Sequence, residues 1–294
     1  MPTKFQLRIL FCAAVLVWVL ANQIEVVAAA PQSSPGQGDV QFFLTALAKD
    51  GSPALLQEAG LSVLIDKTVA QVKSVHSAKD DQLLFAVLVD VSRSDAAAAN
   101  SIKEAAFQLF QGLANAQNQG YLVLFNGNVA TSQAPISASQ AKTALDSATF
   151  GGGTAVYDAI ERTCRQKLGR SANPTRRIII LISDGEDNQS HVTHVKAEQT
   201  ALEEGVSVFS VVTKGPMGGP QGEKFLKEIS QMTGGLATDK DLKHAIPVSL
   251  AAIEAQWAVT LVPTQSADRK LHSMQTKCAQ KDVRISAPTG LFLE

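Results

Sequence analysis

Continuous apolar runs that alternate with helical patterns constrain the fold of this chain more than any other feature. The run Leu83–Asp90 (LLFAVLVD) ends in an acid, and the run that begins at Arg176 (RRIIILISDG) leads into Asp184. Strands that are buried on both faces have such uninterrupted apolar sequences. Helical spacing at residues 96–118 and 155–168 alternates with them. This order predicts an α/β fold, a doubly wound and mostly parallel sheet with helices on both faces.

The α/β pattern covers only the middle of the chain, residues 82–256. Before it, residues 31–81 begin as a flexible Pro-, Gly- and Ser-rich lead and continue with strand-like alternation. After it, residues 257–294 return to a strand-like pattern. We expect the two outer segments to form a small β domain from both chain ends, in which residues 257–294 pair with residues 40–80.

The first 30 residues predict export. Lys4 and Arg8 supply positive charge, and the apolar run Ile9–Ala21 of about 13 residues is short for a bilayer-spanning helix. Small residues follow, so residues 1–30 are predicted to be a signal peptide, with an uncleaved anchor as the alternative. We expect the mature chain in the periplasm, the cell envelope or the extracellular space, without a membrane span.

The charges and cysteines narrow the class of protein further. The chain has 26 Lys and Arg against 27 Asp and Glu, and no basic run is dense enough to follow a phosphate backbone, so we expect no nucleic-acid binding. Two cysteines, Cys164 and Cys278, lie beyond the predicted signal. After export they could form a disulfide, or they could be two buried thiols that pack as small apolar side chains.

Oxygen-bearing side chains collect at the predicted carboxyl ends of the strands, where open α/β sheets bind ligands. Asp90 is followed at alternate positions by Ser92 and Ser94, so one carboxylate and two hydroxyls converge. Asp184 ends the later strand, and a Gly-rich loop with Thr154 lies between the two acids in sequence. Oxygen ligands select a hard divalent cation such as Mg²⁺, with Mn²⁺ or Ca²⁺ as alternatives.

Three segments around these residues resemble the metal-ion-dependent adhesion site of the von Willebrand factor type A fold. They occur in the family's order as DVSRS at Asp90–Ser94, GGGTAVYDAI at Gly151–Ile160 and LISDGEDN at Leu181–Asn188. The wider layout, with KDGSP at Lys49–Pro53 and a β tail, is similar to that of exported bacterial members. The resemblance implies that five residues hold the ion directly or through water: Asp90, Ser92, Ser94, Thr154 and Asp184.

Acidic residues beside the motifs depart from the common family pattern. Many members continue the first motif with Gly or Ser-Met, whereas Asp95 follows Ser94 here. We predict Asp95 to be a solvated helix N-cap, with a sixth ligand or a supporting role behind the metal ligands as the alternatives. Glu186 and Asp187 follow Asp184 and are predicted to be solvated loop residues, with supporting roles as the alternative for both.

The resemblance implies recognition and not catalysis. With few carboxylates on the ion, a carboxylate from an Asp or Glu of a protein partner completes its coordination. Two alternatives are a metal-assisted hydrolase, with Asp95 or Glu186 as its base, and a scaffold whose metal is only structural. His191 and His194 lie one helical turn apart, but no third ligand is spaced to join them in a zinc site, so we expect both on the surface.

Overall fold

The computed structural model describes residues 38–170, 175–214, 219–263 and 267–293. The predicted signal peptide, residues 1–30, lies outside the described residues, as does most of the flexible lead. In the described part of the chain, no helix is both long and apolar enough to cross a bilayer.

The described residues form thirteen strands and six α-helices. The strands are β1 Val40–Ala48, β2 Leu61–Ile65, β3 Thr68–Ser77, β4 Leu83–Asp90, β5 Gln119–Phe125, β6 Val129–Thr131, β7 Arg176–Ser183, β8 Ser207–Val212, β9 Ala237–Thr238, β10 Gln256–Val262, β11 Lys270–Cys278, β12 Val283–Ser286 and β13 Gly290–Leu293. The helices are α1 Ala99–Leu113, α2 Ala138–Ser147, α3 Val156–Gln166, α4 His194–Glu203, α5 Pro220–Met232 and α6 Leu242–Glu254.

Six strands make the central sheet, in the order β6-β5-β4-β7-β8-β9. Only β6 runs antiparallel to its neighbour, so the sheet is mostly parallel. Along β4, Phe85 and Val87 belong to the apolar core under α1, α2 and α6, whereas Ala86 and Leu88 belong to the core under α3, α4 and α5. Both faces of β4 are therefore covered, which is why its sequence is continuously apolar.

The strands outside this region form a second, antiparallel sheet in the order β12-β1-β10-β3-β2-β11-β13. Segments from both chain ends pair in it, because β1 lies between β10 and β12, and β2 pairs with β11. The sheet is curled, and its apolar side chains share one core that includes Leu44, Val63 and Leu261.

The prediction of a separate small β domain is not confirmed. The described residues all belong to one compact unit, and hydrogen bonds tie the curled sheet to the end of α5. Thr45 Oγ1 donates to the carbonyl of Gly234 at 2.7 Å, and Ser286 Oγ donates to the carbonyl of Gln231 at 3.2 Å. These hydrogen bonds join the curled sheet to the α/β region, and both belong to the same compact unit.

The two cysteines are both free thiols. Cys164 is fully buried on α3 in the core beneath α3, α4 and α5, and Cys278 lies at the end of β11 and packs against the core of the curled sheet. Of the two alternatives for these cysteines, the structure shows unpaired thiols that pack as small apolar groups.

Candidate metal centre

The predicted ligands lie in three loops at the carboxyl edge of the central sheet. Asp90 is the last residue of β4, and Asp184 follows the last residue of β7. These strands are neighbours and parallel, with Val89 opposite Ile182, so both acids arrive at the same edge. Thr154 belongs to the loop that leads into α3.

Backbone hydrogen bonds join the three loops to one another. The Gly151 amide donates to the Val91 carbonyl at 2.8 Å, which links the second loop to the first. The amides of Asn188 and Gln189 donate to the Thr154 carbonyl at 3.0 and 2.9 Å, which links the third loop to the second. The three motifs are therefore brought together by the backbone itself.

The carboxylate of Asp90 is completely buried and held on both sides. Its Oδ1 accepts from the Ser92 amide at 2.9 Å, and its Oδ2 accepts from Ser183 Oγ at 2.7 Å. The hydroxyls of Ser92 and Ser94 are 3.0 Å apart and both residues are buried. One carboxylate and two hydroxyls of the first motif are thus fixed at the strand end.

Two further carboxylates are buried nearby, and each has one oxygen without a partner. Asp184 Oδ1 accepts from the Glu186 amide at 3.1 Å, and Asp95 Oδ2 accepts from Thr213 Oγ1 at 3.1 Å. Asp184 Oδ2 and Asp95 Oδ1 are buried without a hydrogen-bond partner. A buried acceptor that lacks a donor costs free energy unless another group compensates it.

The charges of these acids act on one another. Burial raises the pKa of Asp90 to about 6, and the neighbouring charge of Asp184 adds to the rise, against the hydrogen bonds from Ser92 and Ser183. Burial raises the pKa of Asp95 to about 7, and the charges of Asp90 and Asp184 add to it, against the bond from Thr213. No basic side chain of the described residues is an ion-pair partner of these three acids.

This donor set fits a divalent cation. Buried carboxylates that repel one another are stabilised by a nearby positive charge, and carboxylate and hydroxyl oxygens are the donors that Mg²⁺ prefers. Within the described ranges, no three His, Cys, Asp or Glu side chains converge on one point as a metal cluster. A cation here would therefore depend on hydroxyl oxygens, and Asp95 would act through its charge from behind the ligands.

The prediction that Asp95 is a solvated helix N-cap is wrong. Asp95 precedes a short 3-10 turn at Ala96–Ala98, but its side chain makes no capping hydrogen bond and the residue is only 1% exposed. Its partner Thr213 lies after β8, 118 positions further along the chain. The carboxylate faces the interior because this distant hydroxyl donates a hydrogen bond to it.

Glu186 and Asp187 are not freely solvated loop residues either. Glu186 is half-buried, and its Oε1 accepts from the Gly219 amide at 2.7 Å, which joins the third loop to the start of α5. Asp187 Oδ2 accepts from the Tyr157 amide at 3.1 Å, so it satisfies one of the free amides at the start of α3. Both acids therefore hold the third loop in place.

A close approach of two glycines fixes the position of the third loop. Gly185 has φ +78°, and a Cβ on it would lie 2.3 Å from the carbonyl oxygen of Gly222. Any larger residue would push α5 away from the loop. The glycine after Asp184 is thus required by both its backbone conformation and its contact.

The sequence analysis did not identify Ser183 as a site residue. Ser183 is completely buried, and its hydroxyl donates to Asp90 while it accepts from the Gly185 amide at 2.9 Å. It therefore links the first and third motifs. The available signal was a hydroxyl residue directly before Asp184, at the end of a strand that neighbours Asp90.

Among the described residues, His191 and His194 make no hydrogen bond or ion pair with Asp90, Asp95 or Asp184. His191 has a side chain that is 84% exposed, and its Nδ1 lies 2.9 Å from Asp158 Oδ2. His194 begins α4. Burial on its own raises the pKa of Asp158, but hydrogen bonds from the His191 ring and from the amides of Val192 and His191 outweigh it and leave this pKa lowered. The contact between His191 and Asp158 thus holds the loop after Asp187 in place. Among the described residues, no cluster suited to zinc includes either histidine.

Comparisons with known proteins give one family and several distant structures. The sequence model of the von Willebrand factor type A domain matches residues 85–251. A comparison with curated protein sequences finds no match. An aerotolerance-related membrane protein from Bacteroides fragilis is 22% identical, with 58% of this chain and 98% of that chain covered and a TM-score of 0.43.

Two other solved structures are similarly distant. A von Willebrand factor type A protein from Catenulispora acidiphila is 11% identical, with 90% of this chain and 74% of that chain covered and a TM-score of 0.49. Proximal thread matrix protein 1 from the mussel byssus, with a zinc-occupied MIDAS motif, is 19% identical, with 63% and 48% covered and a TM-score of 0.48. The family assignment therefore rests on the match to the family's sequence model alone.

Proposed function

Because the chain belongs to the von Willebrand factor type A domain family, we propose that it binds a divalent cation and uses it to recognise an acidic side chain of a protein partner. The cation is Mg²⁺, or Mn²⁺ or Ca²⁺, which share its preference for oxygen ligands. When bound, the ion supplies a positive charge that attracts a partner's carboxylate. Its ligands in this proposal are Asp90, Ser92, Ser94, Thr154 and Asp184.

The observation that carries this proposal is the unbalanced negative charge at the edge of the sheet. Three buried acids raise one another's energy there, and two of their oxygens have no donor. A bound cation would neutralise this charge, and metal binding would then be coupled to folding stability.

We further propose that Asp95 supports the metal without touching it. Its charge lies among those of Asp90 and Asp184, and Thr213 orients its carboxylate. A negative charge behind the ligands strengthens their hold on a cation and partly offsets the attraction for a partner's acid. Asp95 thus favours tight metal binding and a weaker, more easily reversed contact with the partner.

Recognition is favoured over metal-assisted hydrolysis by the state of the two candidate bases. A general base must be free to accept a proton from a metal-bound water. Asp95 is only 1% exposed, so it is out of reach of a substrate, and Oε1 of the half-buried Glu186 is held by the Gly219 amide at the start of α5. Both acids therefore have structural contacts within the protein, which favours the binding module over the hydrolase.

We also propose export of the mature chain, on the evidence of the sequence at residues 1–30. N-terminal sequencing of the protein purified from its source should find a mature terminus between about Asn22 and Pro31. An intact Met1 in a cytoplasmic fraction would refute export and would leave the metal proposal unaffected.

A pull-down from the source cell envelope tests the recognition proposal. Immobilised protein should retain its partner in Mg²⁺, release it in EDTA, and retain little when Thr154 is changed to Ala, since Thr154 supplies one of the metal's hydroxyls. Thr143→Ala on the exposed side of α2 is the matched control and should bind as the wild type does.

The outcomes separate the three functions. A partner that is retained equally in EDTA would show that recognition uses another surface, and would overturn the proposal. Metal-dependent melting without any metal-dependent partner would favour the structural-metal scaffold. Turnover of a hydrolysable substrate that depends on the metal would favour the hydrolase.

A further inference from the structure

A cavity of about 720 Å³ lies beside the candidate metal centre, between the first half of α1, the end of β8 and the start of α6. This volume is within the range of small-molecule sites. Its floor is apolar, because Ala105, Val212 and Ile246 line it. These side chains are 1%, 4% and 9% exposed, so they belong to the packed interior of the protein. An aliphatic group is the chemistry that such a floor accommodates.

Positive charge surrounds this floor. Lys214, Lys240 and Lys243 all line the cavity, and in the described ranges none of their ammonium groups lies within ion-pair distance of a carboxylate. The charge of Lys214 also acts on Asp239. Lys240 and Lys243 are therefore the main candidates to bind an anionic ligand, since charge-assisted hydrogen bonds are stronger than neutral ones.

The two acids that line the cavity are already engaged by their own helices. Asp241 caps α6 by accepting from the His244 amide, and its Oδ2 lies 2.6 Å from the His244 ring. Glu104 accepts from Gln108 at 2.6 Å on α1. These hydrogen bonds hold both carboxylates against their own helices but leave their negative charges in place. The three lining lysines still outnumber the two lining acids.

We propose that this cavity binds an aliphatic carboxylate. The alkyl chain lies on the floor formed by Ala105, Val212 and Ile246, and the carboxylate accepts hydrogen bonds from Lys240 and Lys243 at the start of α6, with Lys214 as a third donor. Burial of the chain and pairing of the carboxylate act together, so a ligand that has only one of the two groups binds more weakly.

The cavity is physically connected to the candidate metal centre. Thr213 lines the cavity and is also the hydroxyl that donates to Asp95 at 3.1 Å. A ligand that packs against Thr213 therefore changes the orientation of Asp95, and with it the charge behind the metal. Any such coupling is reciprocal, so metal and ligand alter each other's affinity by the same factor. This coupling rests on the proposed metal site, whereas ligand binding itself does not.

Isothermal titration calorimetry with sodium octanoate tests the binding site. The titration uses the purified chain in EDTA, so that a carboxylate cannot bind through a metal. We expect octanoate to bind at least about tenfold more tightly than 1-octanol, which is the gain from one charge-assisted contact. It should also bind more tightly than acetate, which has the same carboxylate but no alkyl chain to bury. Equal affinity for octanoate and 1-octanol, or no octanoate binding, would overturn the proposal.

Two variants locate the binding. Lys240→Gln with Lys243→Gln should weaken octanoate by about tenfold and leave 1-octanol unchanged. Ser101→Trp, an exposed position of α1 that lines the cavity, should block both ligands by filling the space. Lys224→Gln on α5 is the matched control and should bind octanoate normally. Loss of binding in the control, or normal binding in both test variants, would contradict this location.

A second titration tests the coupling separately. Mg²⁺ affinity should differ with and without saturating octanoate, and Thr213→Val should remove that difference. The Lys240→Gln and Lys243→Gln double variant should remove it as well, whereas octanoate that coordinates the metal directly would still change Mg²⁺ affinity in the double variant and would overturn the coupling. Octanoate binding in EDTA together with an unchanged Mg²⁺ affinity would overturn the coupling. Failure of Mg²⁺ to bind at all would refute the proposed metal site but would leave the octanoate result standing, so the two failures are distinguishable.

Discussion

Acidic side chains form a group in each sheet of this molecule, and the two groups have opposite pKa shifts. At the edge of the parallel sheet, the pKa values of Asp90 and Asp95 are raised because the acids are buried beside Asp184. In the curled sheet, the pKa values of Asp66 and Asp268 are lowered, first of all by their hydrogen bonds with His272.

The difference is that the second group contains a side chain that can supply a positive charge. His272 Nδ1 lies 2.7 Å from Asp66 Oδ2, and its Nε2 lies 2.8 Å from Asp268 Oδ1. Both ring nitrogens donate to the two acids only when the imidazole is protonated, and both acids raise the pKa of His272, which favours that protonated form. The group at the parallel sheet has no such partner among the described residues. The first of these two groups is the one for which we propose a bound cation, whereas the second has a candidate positive partner within the chain.

The largest effect should follow the loss of the central acid. Asp90→Ala removes the carboxylate that Ser92 and Ser183 orient, so Mg²⁺ affinity should fall at least about 100-fold. Calorimetric titration of the purified variant measures this. The fold should persist, because the change removes a buried charge and not a packed apolar group. An unchanged Mg²⁺ affinity would refute the assignment of this site.

A second large effect is expected at Asp95, where loss of the charge should stabilise the metal-free protein but weaken its binding of Mg²⁺. Asp95→Asn keeps the shape of the side chain but removes its charge, so in EDTA the free energy of unfolding should rise by an amount on the order of 2 kcal/mol. The same variant should bind Mg²⁺ about tenfold more weakly. Denaturant unfolding and calorimetry measure the two changes.

The control for this variant is Asp282→Asn, at a side chain that is 83% exposed in an ion pair with Lys49. It should change neither quantity. If Asp95→Asn destabilised the protein in EDTA, the charge of Asp95 would not lower the stability of the metal-free protein. The two groups of acids would then not differ in the way proposed.

A smaller effect is expected at Ser183. Ser183→Ala removes the donor to Asp90 Oδ2, so the carboxylate becomes less well oriented and Mg²⁺ affinity should fall by about tenfold. Ser210→Ala on the neighbouring strand β8 removes an equally buried hydroxyl, which contacts Ser230 and not Asp90. Calorimetry on both variants separates orientation of the acid from the general cost of losing a buried hydroxyl. Equal affinities in the two would contradict the role of Ser183.

The smallest effect should appear in the curled sheet and depend on pH. The pKa of His272 is raised above its ordinary 6.5, first by Asp66 and then by Asp268. A raised folded-state pKa adds stability below the unfolded value, and this contribution is lost as the pH rises through the folded value. His272→Gln should therefore lower the Tm at about pH 5.5 and have little effect near pH 9.

Thermal unfolding of this variant and the wild type across that pH range provides the measurement. A Tm difference of equal size at both ends would mean that His272 stabilises the sheet by packing alone. The conclusion that His272 supplies a positive charge to Asp66 and Asp268 would then be wrong, whereas the proposed metal site would be unaffected.

The elements that hold the site were predictable because their signals are local. The continuous apolar runs of β4 and β7 indicated strands buried on both faces, and each ended at an acid. Parallel neighbours share one carboxyl edge, so the sequence also predicted that Asp90 and Asp184 would meet there. Helix α2 was missed, because its Ala-rich sequence has little apolar periodicity and its clearest signal is the capping box at Ser137.

The surroundings of Asp95 were not predictable, because its partner is distant in sequence. Nothing in the sequence near DVSRSD indicates that Thr213 donates a hydrogen bond to the Asp95 carboxylate. The local pattern instead favoured a helix N-cap. The curled sheet was anticipated only as pairing of the two chain ends. Its contacts with Gly234 and Gln231 depend on the tertiary packing, so the sequence alone suggested a separate domain.

The most direct test of the central claim, that the acids at the parallel sheet are completed by a divalent cation, is the Tm of the wild-type protein in EDTA and in increasing Mg²⁺. A ligand that binds only the folded state stabilises it in proportion to the logarithm of its concentration above Kd. We therefore expect the Tm of the wild type to rise steadily with Mg²⁺, and the Tm of Asp90→Ala not to rise. The same Tm in EDTA and in saturating Mg²⁺ would contradict it.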